Sequence, residues 1–86
     1  MLEKNDNIVG LSSMIGRHYE KFLYSHKGKI PPGMYTKIVD EVEKQLIMVT
    51  LFFTKFNQLK AAKILGVDRN TLHRKIVKFK LNEEFK

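Results

Sequence analysis

The arginines are the first residues in this chain with an evident chemistry. Of 16 basic side chains only 3 are arginine, and two of them, Arg69 and Arg74, stand in one short segment near the C-terminus. A guanidinium is a planar fork of N–H donors that pairs bidentately with a phosphate or with the edge of guanine, which the point charge of lysine cannot do. Between Asn57 and Lys80 the two arginines are joined by Lys60, Lys63, Lys75, Lys78 and Lys80 against the single acid Asp68. Residues 57–86 hold a net +5 of the whole chain's +7, and residues 1–56 only +2. Such a segment attracts polyanions. Arg69 and Arg74 therefore read as nucleic-acid contacts, with Asn70 and His73 beside them, while the lysines are either phosphate contacts or solvated charge.

Other chemistries find little support. There is no cysteine, and His18, His26 and His73 are never three or four residues apart, so no pair shares a helical face around a metal. Asp40 and Glu43 share a face but lie among lysines, no nucleophile has a histidine partner in a usable pattern, and Gly28 to Gly33 lacks the Gly-Lys-Ser/Thr ending of a phosphate loop. We therefore expect no enzyme, no cofactor and no metal. The most apolar run, Leu46 to Phe53, is far shorter than the roughly 20 residues that span a bilayer. The expected setting is soluble and cytoplasmic, with no membrane partner.

The elements that must position the basic segment follow from periodicity. Residues 1–7 are polar apart from Leu2 and read as a flexible start. From Ile8, the residues Leu11, Ile15, Tyr19 and Phe22 follow at helical spacings, which predicts a helix ending near His26. Pro31, Pro32 and Gly33 break the chain, and a second helix is expected from about Pro32 to Lys55. One of its faces reads Tyr35, Ile38, Val39, Val42, Leu46, Val49, Phe52, Phe53 and Phe56, with Ile47, Met48 and Leu51 adding apolar surface elsewhere. Lys37, Asp40, Glu41, Glu43 and Lys44 are expected outward, with an Asp40–Lys44 pair. A helix apolar nearly all round is a buried helix. An 86-residue chain buries only about 60% of its unfolded surface and has too few other elements to enclose some 35 Å of helix. A second copy of the chain is the natural cover, with Val42, Leu46, Val49, Phe52 and Phe53 as the dimer interface.

Two short helices close the chain. The first spans Gln58 to Leu65 behind an Asn57 cap and stops at Gly66; the second follows the cap Asp68 and turns Leu72, Ile76 and Phe79 inward. Ala61 and Ala62 let the axes cross closely, and Val67 with Leu72 is expected to fill the space between them. Two helices about a short Gly turn, the second basic outside, make a helix-turn-helix, whose second helix fits a major groove. The expected organisation is a start at 1–7, a helical dimerisation region at 8–56, the helix-turn-helix at 57–82 and a tail at 83–86.

The stretch VEKQLIMVTLFFTKFNQLKAAKILGVDRNTLHRKIVKFKLN resembles the Fis family of bacterial nucleoid proteins and the C-terminal domains of NtrC-type regulators. The resemblance implies an all-α chain of four helices, an intertwined homodimer and recognition helices set too close for straight B-DNA, so that bound duplex, A/T-rich by preference, is bent. It also implies transcription regulation and nucleoid association. By the same resemblance Arg69 reads a base edge, Thr71 and Arg74 contact phosphates, and Asn57 contacts the backbone. The chain departs from Fis at His73, where arginine is usual, at Asp68, where asparagine is, and at Leu59, which replaces a small hydroxyl residue. A stand-alone Fis-like protein is favoured over a detached regulator domain. Among non-DNA readings, a protein-interaction or membrane-surface module would require Leu72, Ile76 and Phe79 to be exposed.

Overall fold

A computed structural model describes residues 5–81, with side chains from residue 10 onward, and contains four α-helices and no strand among those residues. The expected tail at 83–86 and the first four residues of the expected flexible start lie outside the described residues. The chain divides into two compact units, residues 1–32 and 33–86.

The first unit is one helix, α1, Asn5–Ser25. It opens three residues before the apolar period does, so Asn5 to Asn7 are helical rather than part of an irregular start. Its end is fixed locally: the Ser25 hydroxyl donates to the Lys21 carbonyl at 2.6 Å, and the His26 ring stacks on Phe22 at 4.3 Å between centroids. His18 and His26 are both exposed. Tyr19, Phe22 and Leu23 are half-buried, whereas Leu11, Met14 and Ile15 are exposed.

The second unit packs α2 (Met34–Phe53), α3 (Gln58–Leu65) and α4 (Arg69–Lys78) on one another. α2 starts after the prolines rather than on them. Gly33 is left-handed, at φ 78°, and its carbonyl accepts the first intrahelical bond from the Lys37 N–H at 3.2 Å. The core is Ile47, Leu51, Ala61, Ala62, Leu72, Ile76 and Leu81, with Met48, Leu65 and Phe79 against it. Burial of Leu72 and Ile76 is the opposite of what a membrane-surface module needs, and no helix among the described residues is long and apolar enough to cross a membrane.

Three expectations change here. The core face of α2 is Ile47 and Leu51, at 4% and 2% exposure, whereas Leu46, Val49, Phe52 and Phe53 are exposed and Val42 is half-buried. α3 and α4 therefore supply part of the cover expected from a second copy. Val67 closes the space between the helices only in part: it lines a small recess with Ile47, Leu65 and Leu72 but remains 40% exposed. Asp40 and Glu43 do not face solvent unpartnered, since both lie against α4, and Asp40 pairs with Lys78 instead of Lys44.

All three helices of this unit end with the same backbone hydrogen bond. A left-handed residue follows the helix, and the next N–H reaches back five residues: Phe56 to the Leu51 carbonyl, Val67 to Ala62 and Leu81 to Ile76, at 2.7, 3.0 and 3.0 Å. Glycine meets this need at Gly66, but Lys55 and Lys80 adopt φ of 55° and 57° with a side chain present, and after α2 Phe56 is left-handed as well, at φ 65°. At the end of α4 the motif turns Leu81 back onto the core, where it is fully buried.

Candidate nucleic-acid interface

The basic segment is presented by two capped helices. The Asn57 side-chain oxygen accepts the Lys60 N–H at 3.0 Å, and a carboxylate oxygen of Asp68 accepts the Thr71 N–H at 3.2 Å. Each cap satisfies a donor that the first turn would otherwise leave open, and the Asp68 charge lies at the positive end of the α4 dipole. The Thr71 hydroxyl also donates to Asp68 at 3.3 Å and accepts from the Arg74 guanidinium at 3.3 Å. Asp68, Thr71 and Arg74 thus form a chain of contacts along the first turns of α4, which directs one edge of the Arg74 guanidinium and leaves its other donors outward.

Because Leu72 and Ile76 lock the inner face of α4, its outer residues are fixed in direction. Arg69, Asn70, His73 and Arg74 are exposed. Arg69 and His73, one turn apart, flank a shallow groove whose other wall is Phe56, Asn57, Gln58 and Leu59. Residues far apart in sequence, Asn57 on one side and Arg69 with His73 on the other, are brought to one opening. With its oxygen engaged in the cap, the Asn57 side chain still has amide N–H donors to offer a phosphate.

The remaining candidates are placed elsewhere. Lys60 borders a separate depression with Lys55, Lys63, Phe53, Thr54 and Ile64. On the α2 side of α4, the Lys75 ammonium lies 3.2 and 3.0 Å from the two Glu43 carboxylate oxygens, and Lys78 lies 3.7 Å from Asp40. Lys78 also sits 5.2 Å from the centre of the Phe79 ring. Neither acid is visible as a partner from sequence, because no local pattern links residues 40 and 43 to residues 75 and 78. Leu81 has a local signal, an apolar residue two beyond the capping residue Phe79, that matches the hydrophobic contact of this helix-ending motif.

The Fis family of bacterial regulatory proteins, taken as a sequence profile, matches residues 38–79. A putative Fis-like DNA-binding protein of Neisseria meningitidis serogroup B is 33% identical over 67 residues, covering 78% of this chain and 85% of that protein. The DNA-binding protein Fis of Buchnera aphidicola subsp. Acyrthosiphon pisum is 29% identical over 72 residues, covering 84% of this chain and 74% of its own length. The DNA-binding transcriptional regulator NtrC of Azospirillum brasilense is 44% identical over 68 residues, 78% of this chain, but the match spans only 14% of that regulator. No solved structure matches the chain.

Proposed function

Since the chain belongs to the Fis family of bacterial regulatory proteins, we propose that it binds double-stranded DNA as a homodimer through α4 and regulates transcription. Leu72 and Ile76 hold α4 on the core while its N-terminal turns enter a major groove. Arg69 reaches base edges, Thr71 and Arg74 position the helix on phosphates, and Asn57 donates to the backbone across the Arg69–His73 groove. Asn70, His73 and Lys60 add contacts at the margins. The dimer forms over Val42, Leu46, Val49, Phe52 and Phe53, an apolar stripe exposed along most of its length in the single chain. Two recognition helices held by one interface bend the duplex if they are closer than successive grooves. A/T-rich sites, which deform readily, are the expected targets, and the expected setting is the cytoplasmic nucleoid.

The observation that carries this reading is the joint opening of Asn57, Arg69 and His73 at the start of a capped helix whose opposite face is core. It is tested by a salt titration of binding to a short A/T-rich duplex at verified dimer concentration. The expected result is affinity that falls steeply with salt and drops tenfold or more in Arg69→Ala, the scale of one base contact of about 1–3 kcal/mol. Binding indifferent both to salt and to Arg69→Ala would favour a protein-interaction module instead.

The 44% identity to NtrC supports a second reading, in which the chain acts as the DNA-binding segment of a longer regulator. The local chemistry is then the same. Mapping the complete open reading frame separates the two.

A further inference from the structure

α4 and the turn after it carry five bases and no acid from Arg69 to Lys80, yet two of the five are not available in equal measure. At 100° per residue, Arg69 and His73 lie on the flank of α4 that faces the start of α3, and Lys75 and Lys78 on the flank that faces α2. There α2 sets one carboxylate against each lysine. Glu43 holds Lys75 through both oxygens, with each side chain about one-third exposed, and Asp40 stands 3.7 Å from Lys78. Two carboxylates one helical turn apart on α2 thus meet two ammonium groups one helical turn apart on α4. Glu41, between them in sequence, is exposed on another side of the same helix.

We propose that Glu43 and Asp40 are internal counter-charges that withhold Lys75 and Lys78 from the phosphate-binding set, and so limit the protein's sequence-independent affinity for DNA. The proposal rests on the reading that α4 binds DNA. A lysine already neutralised by a carboxylate of its own chain releases no net counterion when a phosphate approaches, so it adds little to the salt-dependent, sequence-blind part of binding. The Glu43–Lys75 pair is partly shielded from solvent, and salt screens it less than it screens an open lysine; the Asp40–Lys78 pair is more open, with Lys78 52% exposed, and is the weaker of the two. Of the five bases, this leaves Arg69 at the groove, Arg74 on the exposed face of α4 and Lys80 beyond the helix without such a counter-charge. Net positive potential is shifted toward the two arginines, one of them the base-reading Arg69, and away from two lysines that can only grip the backbone.

The test compares wild type, Glu43→Gln, the double variant Glu43→Gln/Lys75→Gln, and Glu41→Gln on a mixed-sequence duplex. Affinity is followed from 50 to 200 mM salt, with thermal unfolding recorded for each protein. Glu43→Gln is expected to steepen the plot of log affinity against log salt by about 0.9, the increment of one phosphate contact, and to bind several-fold tighter at the low-salt end. The double variant should return to the wild-type slope, and Glu41→Gln, which makes the same charge change away from α4, should leave it unaltered. A steepening that is equal in Glu41→Gln, or that persists in the double variant, would show an effect of overall charge and overturn the proposal. So would an unchanged slope in a folded Glu43→Gln. If the wild-type protein itself binds without salt dependence, the DNA-binding reading fails first, and the two failures are told apart.

Discussion

α2 carries two apolar stripes of similar composition, and the chain treats them in opposite ways. Ile47 and Leu51 are closed against α3 and α4, while Leu46, Val49, Phe52 and Phe53, offset around the same helix by a residue or two, remain open, Phe53 at 78% exposure. Hydrophobicity does not explain the choice, since the open stripe contains the two phenylalanines. The buried stripe is selected by what stands opposite it: Ala61 and Ala62 allow close approach of α3, and Leu72, Ile76 and Leu81 complete the layer. A buried stripe holds the helix-turn-helix in shape. An open stripe of this size on the same helix is suited to a second chain.

The largest effect should come from the buried stripe. Leu51→Ala is expected to cost about 4 kcal/mol in denaturant unfolding, because Leu51 is enclosed and α3 cannot collapse onto the gap without losing its contact with α4. Leu46→Ala removes the same atoms from the open stripe. At concentrations where the chain is monomeric it should change stability by no more than about 0.5 kcal/mol. Equal costs for the two variants under that condition would break the distinction between the stripes.

Next in size is the effect of the open stripe on association. Phe53→Ser should weaken self-association about a hundredfold, or about 2.7 kcal/mol, as measured by sedimentation equilibrium, since Phe53 is the most exposed side chain of the stripe and a large aromatic that becomes buried on association is commonly a hot spot. Far-ultraviolet circular dichroism of the variant should match wild type at matched oligomeric state. A dimer that survives Phe53→Ser unchanged would assign the second-copy contact to another surface.

Much of this arrangement is legible in the sequence, and the parts that are not share a cause. Asn57, Gly66 and Asp68 announce their helix ends because caps and left-handed residues act within four positions of the chain, and the bounds Gln58–Leu65 follow directly. Arg69 and Arg74 stand out by residue type alone. The periodicity of α2 shows that it has apolar faces but not which one α3 will meet, because that depends on residues ten or more positions away. The pairing of Glu43 with Lys75 is hidden for the same reason: these residues are 32 apart, and each reads locally as a solvated charge. Val67 is an intermediate case, since an apolar residue beside Gly66 looks like a full plug, whereas it borders a recess with Leu72 and stays 40% exposed.

The smallest effect concerns how each stripe is closed off at its end. Lys55 follows α2 and Lys80 follows α4, both left-handed at φ 55° and 57°, and each delivers an apolar residue: Lys55 places Phe56, which is 40% exposed, and Lys80 places Leu81, which is fully buried beside Ile76. A side chain in this conformation costs about 1–2 kcal/mol, and glycine removes that cost while giving back about 0.4–1 kcal/mol through the greater freedom of the unfolded chain. Lys80→Gly should therefore raise stability by about 0.5 kcal/mol. Lys55→Gly should raise it by the same amount, since the strain is local to the backbone and does not depend on what the next residue touches. Equal gains in thermal unfolding would show that helix endings and stripes contribute independently. A gain at Lys55 with a loss at Lys80 would mean that the Lys80 side chain itself helps seat Leu81 in the core, which would tie the end of α4 to the buried stripe of α2.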